Sequence, residues 1–309
     1  MKILSTGLMI GNPENGFQKA MRKVATGGYK DLPCYYGSFN EDLLRTAKEF
    51  KPDIIFMQFQ QEGVIRPEIA SQLAQIAFVI NFSGDVRQEL PNWYLDIGRH
   101  IHLSTFTNMV DVKKCLAKGV NADYLEIGFD PAIYYKRNYP ISSPAIVAHF
   151  NHYQNEFPLS QYRLDIVKAL KQAFGSNFGI FGNFPEANGN FNNNQELESI
   201  NYNQSLIAIN CSHFNFERYS SDRMLRILGS GTFCLSHYYD DIEKDYKIGK
   251  HLDVFHDIPE LIEKCNYYLS HPTQAQKIAE QGYKLAHQKF TFDKMCQNII
   301  KLYKKHTKK

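Results

Sequence analysis

Short apolar runs alternate with amphipathic segments along the first half of the chain. The runs predict strands at Lys2–Ser5, Ile54–Gln58, Phe78–Phe82, Ile101–Ser104 and Tyr124–Ile127. Between them, apolar residues at helical spacing predict helices at Phe17–Val24, Asn40–Phe50 and Pro67–Gln75, and another that begins after Asn108 and ends at Gly119. Strands that alternate with helices are typical of a parallel, doubly wound sheet.

The second half repeats this alternation. Its predicted strands are Ala145–Phe150, Phe178–Phe181, Leu206–Asn210 and Thr232–Ser236, and its predicted helices are Gln161–Phe174, capped by Ser160, and Phe290–Tyr303. We expect Leu164, Val167 and Leu170 to face inward from the first of these helices. The polar stretch Tyr135–Ser143 predicts a linker between two domains, at residues 1–138 and 139–309. The asparagine-rich stretch Asn188–Asn194 predicts a surface loop.

The composition fits two folded domains. A chain of 309 residues with 43% hydrophobic content is long enough for two separate cores. No apolar run approaches the ~20 residues that span a bilayer, and the start of the chain has no apolar signal-peptide core. The six cysteines are scattered and form no CxxC pair. We therefore expect a cytoplasmic protein with no transmembrane segment.

The charge is concentrated at the C-terminus. Five lysines lie in the last nine residues, and removing them changes the formal net charge from +3 to −2. The body is therefore not basic, which argues against a broad nucleic-acid-binding face. We interpret the lysine tail as a solvated helix end, with contact to an anionic acceptor or a membrane surface as the alternative.

The stretch Ser220–Tyr239 carries the most chemical information. Helix-capping residues at 220–222 precede a short apolar face, and Gly229 and Gly231 predict the end of that helix before the next strand. Ligands of α/β proteins bind at the carboxyl ends of strands and at helix N-termini. Free N–H groups and Arg223 at one helix end would suit a diphosphate. The alternative is an ordinary capped helix that leads into a strand.

The surrounding motifs resemble a known family. The motifs that carry the resemblance begin at about Asn201. They are S-D-R at 221–223, L-G-S-G-T-F at 228–233, H-Y-Y-D at 237–240, an acidic helix start at 241–243, G-K-H at 249–251, D-I-P-E-L at 257–261 and L-S-H-P at 269–272, followed by Ala279 and Gly282. A further motif, G-F-D-P at 128–131, precedes the linker. In order and spacing they resemble the donor-binding half of GT-B glycosyltransferases, within them the CgeB-like (spore maturation protein-like) group. The resemblance implies an α/β GT-B fold, with two Rossmann-like doubly wound domains facing a central cleft.

The resemblance also implies a reaction. A GT-B enzyme of this kind would move a hexosyl or pentosyl group from a nucleotide-diphosphate sugar, its co-substrate, to an acceptor. N–H groups and basic side chains would stabilise the leaving diphosphate, and no Asp-x-Asp motif or metal-spaced His/Cys cluster is present, so we expect neither a metal nor another cofactor. The acceptor (a glycan, a protein, a small molecule or modified DNA), the stereochemistry and the oligomeric state stay open. A DNA-base glycosyltransferase, a nucleotide-sugar 2-epimerase and a non-catalytic nucleotide- or glycan-binding module are the alternatives.

Most candidate donor-binding residues follow predicted strands of the second domain. They are Asn151, His152, Gly182, Asn183, Ser221, Asp222, Arg223, His237, Tyr238 and Asp240, with Arg218 in reserve and with Gly11 in the glycine-containing loop of the first domain. Arg223 is expected to bear the charge, with a salt bridge to Asp222 or Glu217 as the structural alternative. Arg226 stands where related retaining enzymes carry a glutamate that contacts the donor ribose; it would pair with another nucleotide feature or lie on the solvated face.

The candidate catalytic residues lie in the first domain. The segment Asn81–Arg87 follows an apolar strand and presents a carboxylate at that strand's carboxyl end. We predict Asp85 as the general base, with His100 and His102 as alternatives and the 96–99 loop as a further place to look. His102 is expected to lie inside a strand. The structural alternative is that Asp85 caps the turn at Gly84 and pairs with Arg87.

Overall fold

The computed structural model describes residues 1–34, 36–154, 156–191 and 194–308. Its strands are β1 (Lys2–Gly7), β2 (Gly28–Leu32), β3 (Ile54–Gln58), β4 (Phe78–Ser83), β5 (Leu103–Phe106), β6 (Ala122–Tyr124), β7 (Ile146–His149), β8 (Phe178–Phe181), β9 (Ile207–Asn210), β10 (Phe233–His237) and β11 (Asp253–Phe255). Its α-helices are α1 (Gly16–Val24), α2 (Phe39–Phe50), α3 (Pro67–Ile76), α4 (Asn92–His100), α5 (Met109–Ala117), α6 (Ser160–Phe174), α7 (Gln195–Asn203), α8 (Asp222–Ser230), α9 (Ile258–Ser270), α10 (Pro272–Lys289) and α11 (Phe292–Thr307). None of the helices in the described ranges combines the length and apolar character needed to cross a membrane.

The chain divides into two compact units. Unit 1 is Met1–Gly128 together with the C-terminal segment that begins at Phe292, and unit 2 is Phe129–Thr291. The division differs from the predicted boundary at residue 138, and α11 belongs to unit 1 rather than to the second domain. The apolar face of α11, with Met295 and Ile299, packs into the same core as Phe17 of α1. Burying each such side chain contributes roughly 1.5–3 kcal/mol, which explains the return of α11 to unit 1.

Unit 1 contains a parallel sheet with the order β2-β1-β3-β4-β5-β6. Neighbouring residues of its central strands enter different cores. Ile3 and Ile54 pack under α1 and α11, whereas Leu4 and Ile55 pack under α2 and α3. Because helices cover both faces, the sheet is doubly wound, as the sequence predicts.

Unit 2 contains a second parallel sheet with the order β11-β10-β9-β7-β8. One face packs under α6 and α9, through residues such as Ile146 and Ile207. On the other face, α8 packs against β9 and β10, and α10 packs against β10. The predicted alternation of strands and helices in this half is confirmed.

Several elements differ from their prediction. Residues 96–99 form part of α4 and not a loop, and His102 lies just before β5 rather than inside a strand. The β6 strand begins at Ala122, two positions before the predicted Tyr124. Of the predicted asparagine-rich loop, Asn192 and Asn193 lie outside the described residues.

Candidate functional site

The sheet of unit 2 has a topological switch point between β7 and β9. From β7 the chain adds β8 on one side, and β9, β10 and β11 then extend the sheet on the other side. The connections after β7 and β9 therefore diverge, which leaves a crevice at the carboxyl ends of these two strands. Ligands of open α/β sheets bind in such crevices. We take this edge as the candidate site.

The α8 helix starts at this edge and is anchored to it. The Ser221 side chain caps α8 by accepting a hydrogen bond from the Met224 N–H, and its hydroxyl donates to Asn210 Oδ1 at 2.9 Å. At the other end Gly231 has φ +77°, the left-handed conformation that glycine adopts without strain. Ser221 and Gly231 are thus the cap and terminator that the sequence predicts, whereas the other predicted terminator, Gly229, lies inside α8. The Ser221 hydroxyl thus fixes the helix to β9.

A cavity of about 260 Å³ opens beside the N-terminus of α8. Its lining combines one aromatic ring and one imidazole with amide, carboxylate and guanidinium groups: His149, Asn151, Gly182, Asn190, Phe191, Asn194, Gln195, Glu198, Asp222, Arg223 and Arg226. The structure thus brings together four of the predicted donor-binding residues, Asn151, Gly182, Asp222 and Arg223.

Arg226 lies in this cavity and not on the solvated face. It forms ion pairs with Asp222, at 2.7 Å, and with Glu198, at 3.4 Å. Burial of Arg226 acts against its charge, but Asp222 and the other acidic groups raise the pKa of Arg226 above its ordinary value. Burial likewise opposes the ionised form of Asp222, yet Arg226 and then Arg223 hold the pKa of Asp222 below its usual range. The charges of Arg226 and its two partners are therefore largely satisfied within the protein.

Arg223, in contrast to Arg226, forms no ion pair with a carboxylate of the described residues. Its guanidinium donates to two neutral oxygens, Asn210 Oδ1 and the Cys211 carbonyl, each at 3.3 Å. Among the described residues no carboxylate lies within ion-pairing distance of Arg223, and Asp222 pairs with Arg226 instead. The salt bridge considered as the structural alternative for Arg223 is thus not formed.

Arg163 was not predicted as a site residue, yet it lies beside Arg223. Its side chain is 1% exposed, and its Nε and Nη2 atoms have no hydrogen-bond partner among the described residues. Its guanidinium lies 4.4 Å from the centroid of the Phe150 ring, and that of Arg223 lies 5.2 Å from the same centroid. Burial, and then the charge of Arg223, lower the pKa of Arg163 to about 9. A positive region therefore lies at the carboxyl ends of β7 and β9, with no described carboxylate within ion-pairing distance of either guanidinium.

Glu198 and His149 are the other unpredicted residues of the site. Glu198 projects from α7 and accepts hydrogen bonds from the hydroxyls of Tyr134, at 2.5 Å, and Tyr202, at 3.2 Å. The buried His149 ring stacks on Phe191 with ring centroids 5.3 Å apart. Burial lowers the pKa of His149 to about 4, so this imidazole is neutral at pH 7. The helical periodicity of Gln195–Asn203 is weak, and for this reason the sequence did not reveal Glu198.

The other predicted donor-binding residues of unit 2 do not line the cavity. The His152 N–H donates a hydrogen bond to the Asn183 carbonyl at 2.7 Å, which links the connection after β7 to the connection after β8. At the end of β10, His237 packs on Tyr162. After β10, Tyr238 stacks on His256, and the Asp240 carbonyl accepts the Arg218 N–H at 2.8 Å. Arg218 itself pairs with Asp245. These groups lie at the same carboxyl edge of the sheet as the cavity but do not line it.

The two predicted catalytic residues, Asp85 and His100, lie at opposite edges of the sheet of unit 1. Asp85 follows the carboxyl end of β4, is exposed, and accepts a hydrogen bond from Gln60 Nε2 at 2.5 Å. His100 ends α4, which runs back toward the start of β5, and its Nδ1 lies 2.7 Å from Ser71 Oγ. His102 accepts the Val79 N–H through its own Nδ1. Both histidines, the alternatives to Asp85 as general base, thus lie at the sheet edge opposite Asp85, away from the carboxyl ends of the strands.

Gly11 lies in the connection after β1. Its N–H donates to Gln18 Oε1 at 2.9 Å, and the loop borders a polar cavity of about 370 Å³ that Glu14, Arg22 and Asp31 also line.

In the described part of the chain, no three His, Cys, Asp or Glu side chains converge closely enough to hold a metal ion. Independence from metals stays a prediction.

Comparison with known proteins identifies the fold. Residues 163–301 match the family model described as "Glycosyl transferase-like". The structure of Anabaena Alr3699/HepE in complex with UDP and glucose aligns over 99% of this chain and 100% of that chain, with 12% identity and a TM-score of 0.69. No curated protein matches the sequence at a significant level.

Two further structures align equally well. Sucrose-phosphate synthase from Thermosynechococcus elongatus is 11% identical, over 99% of both chains, with a TM-score of 0.70. A glycosyltransferase from Rickettsia africae is 11% identical, over 99% of this chain and 98% of that chain, with a TM-score of 0.67. The chain thus has the predicted GT-B fold, built from two parallel-sheet α/β domains, and its match to a glycosyltransferase-like family covers most of unit 2. Membership of the CgeB-like group stays a prediction.

Proposed function

We propose that the protein is a glycosyltransferase that binds a nucleoside-diphosphate sugar in unit 2 and transfers its sugar to an acceptor. One observation carries the proposal. Arg163 and Arg223 place two guanidinium groups over the ring of Phe150, and among the described residues no carboxylate lies within ion-pairing distance of either. This pair lies at the switch point of the sheet, beside the N-terminus of α8.

Such an arrangement favours a doubly charged anion. Two like charges in a desolvated position destabilise each other, and an anion between them would reverse that cost. Arginine donates in a planar fork that matches phosphate oxygens, and the N-terminus of a helix adds partial positive charge. A diphosphate is the leaving group of nucleotide-sugar transfer. The same groups that bind it would therefore stabilise the negative charge that develops during the reaction.

The adjoining cavity suits the nucleoside. Phe191 and the neutral His149 offer an aromatic surface for a base, while Asn151 and Glu198 offer hydrogen-bonding groups for a base edge or sugar hydroxyls. HepE structures hold UDP and glucose, or UDP-glucose. We therefore propose uridine diphosphate as the carrier and a hexose as the transferred group.

The acceptor would be activated in unit 1. We propose Asp85 as the general base, because it is an exposed carboxylate at the carboxyl end of β4. In the reaction the acceptor hydroxyl loses its proton to Asp85 and its oxygen bonds to the sugar C1. The bond from C1 to the diphosphate breaks, and the diphosphate keeps the electron pair.

A panel of nucleotide sugars tests the proposal. The purified protein would be incubated with each donor, with and without candidate acceptors, and the release of nucleoside diphosphate measured. Release that depends on an acceptor supports the transferase. A change in the sugar without an acceptor would identify an epimerase, and thermal stabilisation by nucleotide without turnover would identify a binding module.

A further inference from the structure

The side chain of Gln60 is locked in a single orientation beside Asp85. Gln60 lies two residues beyond β3, next to the loop that follows β4. Its Oε1 accepts the N–H groups of Gly84, at 2.7 Å, and of Asp85, at 3.1 Å. A side-chain amide has only one oxygen, so these two N–H donors determine which end of the amide faces the loop. The NH2 group must then face Asp85, and Nε2 donates to Asp85 Oδ2 at 2.5 Å.

Gln60 is itself held from several directions. It is 8% exposed, and Gln58 Nε2 lies 3.4 Å from Gln60 Oε1. The Gln60 carbonyl accepts a hydrogen bond from Arg87 at 2.5 Å, and Arg87 also donates to the Tyr94 hydroxyl at 3.1 Å. Both the backbone and the side chain of Gln60 are thus fixed.

Arg87, on the same loop, and Tyr94, on α4, also lie near this carboxylate. Burial raises the pKa of Tyr94, so its hydroxyl is neutral at pH 7. Arg87 is directed to the Gln60 carbonyl and to Tyr94. Gln60 therefore supplies a donor of fixed direction to the carboxylate from the neighbouring strand connection.

We propose that Gln60 is a positioning residue for the transfer reaction: it holds the Asp85 carboxylate in one orientation and favours its ionised form. The inference rests on the proposed role of Asp85. A neutral donor to a carboxylate stabilises the charged state, which is the state that can accept the acceptor's proton. An amide does this without adding a charge, whereas an arginine or lysine in the same place would compete for the carboxylate oxygens.

The test is Gln60→Glu, compared with Gln61→Glu. The first variant keeps an oxygen for the two backbone N–H groups but places a carboxylate oxygen against Asp85 Oδ2. The second adds the same charge to an exposed position of the same loop and removes no contact to Asp85. Carbon-13 NMR of labelled aspartate, with the Asp85 signal assigned through Asp85→Asn, reports the carboxylate titration without any need for turnover.

We expect the Asp85 titration midpoint to rise by about one pH unit or more in Gln60→Glu, because a like charge disfavours ionisation. It should remain at the wild-type value in Gln61→Glu. The acidic limb of the pH profile of kcat/KM should move in the same direction, with the donor KM unchanged. An equal midpoint in wild type and Gln60→Glu would overturn the inference, whatever the activity.

A second variant tests the inference if Gln60→Glu does not fold. Gln60→Leu removes the donor without adding charge, and it should lower kcat at least tenfold while the donor KM stays the same. A fully active Gln60→Leu enzyme would overturn the inference. If wild type shows no nucleotide-sugar turnover but the NMR midpoints differ as expected, the proposed function fails and the local role of Gln60 stands.

Discussion

Arg163 and Arg223 lie over one phenyl ring, that of Phe150, with their guanidinium carbons 4.4 Å and 5.2 Å from its centroid. They come from different helices, α6 and α8, and meet where β7 and β9 end. A cation–π contact contributes on the order of 0.5–2 kcal/mol, which eases but does not remove the repulsion between the buried charge of Arg163 and the partly buried charge of Arg223. In the proposed function, an anionic ligand would offset this repulsion.

The charge of Arg223 should be required for nucleotide binding. Arg223→Ala is expected to weaken UDP binding by roughly 2–3 kcal/mol, the scale of charge-assisted hydrogen bonds, while the fold is retained. Calorimetry and circular dichroism would measure the two properties. Arg218→Ala is the matched control, because Arg218 pairs with Asp245 outside the cavity. Unchanged UDP affinity in a folded Arg223→Ala variant would remove Arg223 from the site.

The buried His149 should make the protein less stable in mild acid. Burial lowers the pKa of His149 to about 4, below its ordinary value of 6.5. Between these values the unfolded chain binds the proton and the folded chain does not, so the free energy of unfolding rises with pH across this range. This residue alone should cost about 2 kcal/mol of stability between pH 7 and pH 5.

Urea denaturation of wild type and His149→Gln at both pH values isolates this contribution, because all other titrating groups are shared. The loss of stability between pH 7 and pH 5 should be smaller in His149→Gln. Equal losses would show that His149 titrates normally in the folded protein.

Removing the carboxylate of Asp85 should affect the chemical step. Asp85→Asn is expected to lower kcat by ~10²–10⁴-fold, the usual contribution of a general base, with little change in donor binding. Asp96→Asn, an exposed change on α4, is the control. If Asp85→Asn lowers the melting temperature but turns over at the wild-type rate, Asp85 has a structural role and another base must be sought.

Turnover should persist after divalent metals are removed. In the proposed site, Arg163 and Arg223 would supply the positive charge that a metal could otherwise provide to stabilise the diphosphate. Activity measured in EDTA, and again after magnesium or manganese is added, would check this expectation. Loss in EDTA with recovery on either metal would contradict it.

The sequence predicted the local elements of the site better than their assembly. The α8 helix could be predicted from Ser221 and Gly231, because capping and chain reversal depend on neighbouring residues. The sequence could not predict which of the residues at the carboxyl ends of strands form the site. His237 and Asn151 both follow predicted strands, but only strand order shows that β7, and not β10, borders the switch point. Strand order depends on long-range pairing, which the local pattern does not encode.

Arg163 shows a second limit of prediction from the sequence. Apolar spacing in α6 predicted an inward face containing Leu164, Val167 and Leu170, whereas the buried residues include Arg163 and Ile166 and leave Leu164 only partly buried. Periodicity arguments assign charged residues to the solvated side. The buried Arg163 contradicts that rule, and such exceptions are expected at functional sites.

The most direct test of a diphosphate site is calorimetric titration of UDP and uridine into wild type, Arg163→Gln and the control Lys168→Gln, an exposed change on α6. Wild type and the control should bind UDP more tightly than uridine. In Arg163→Gln this preference should fall by about tenfold or more, with uridine affinity unchanged, since the lost contact is to a charged group. Equal affinity of wild type for UDP and uridine, or an undiminished preference in Arg163→Gln, would contradict the account.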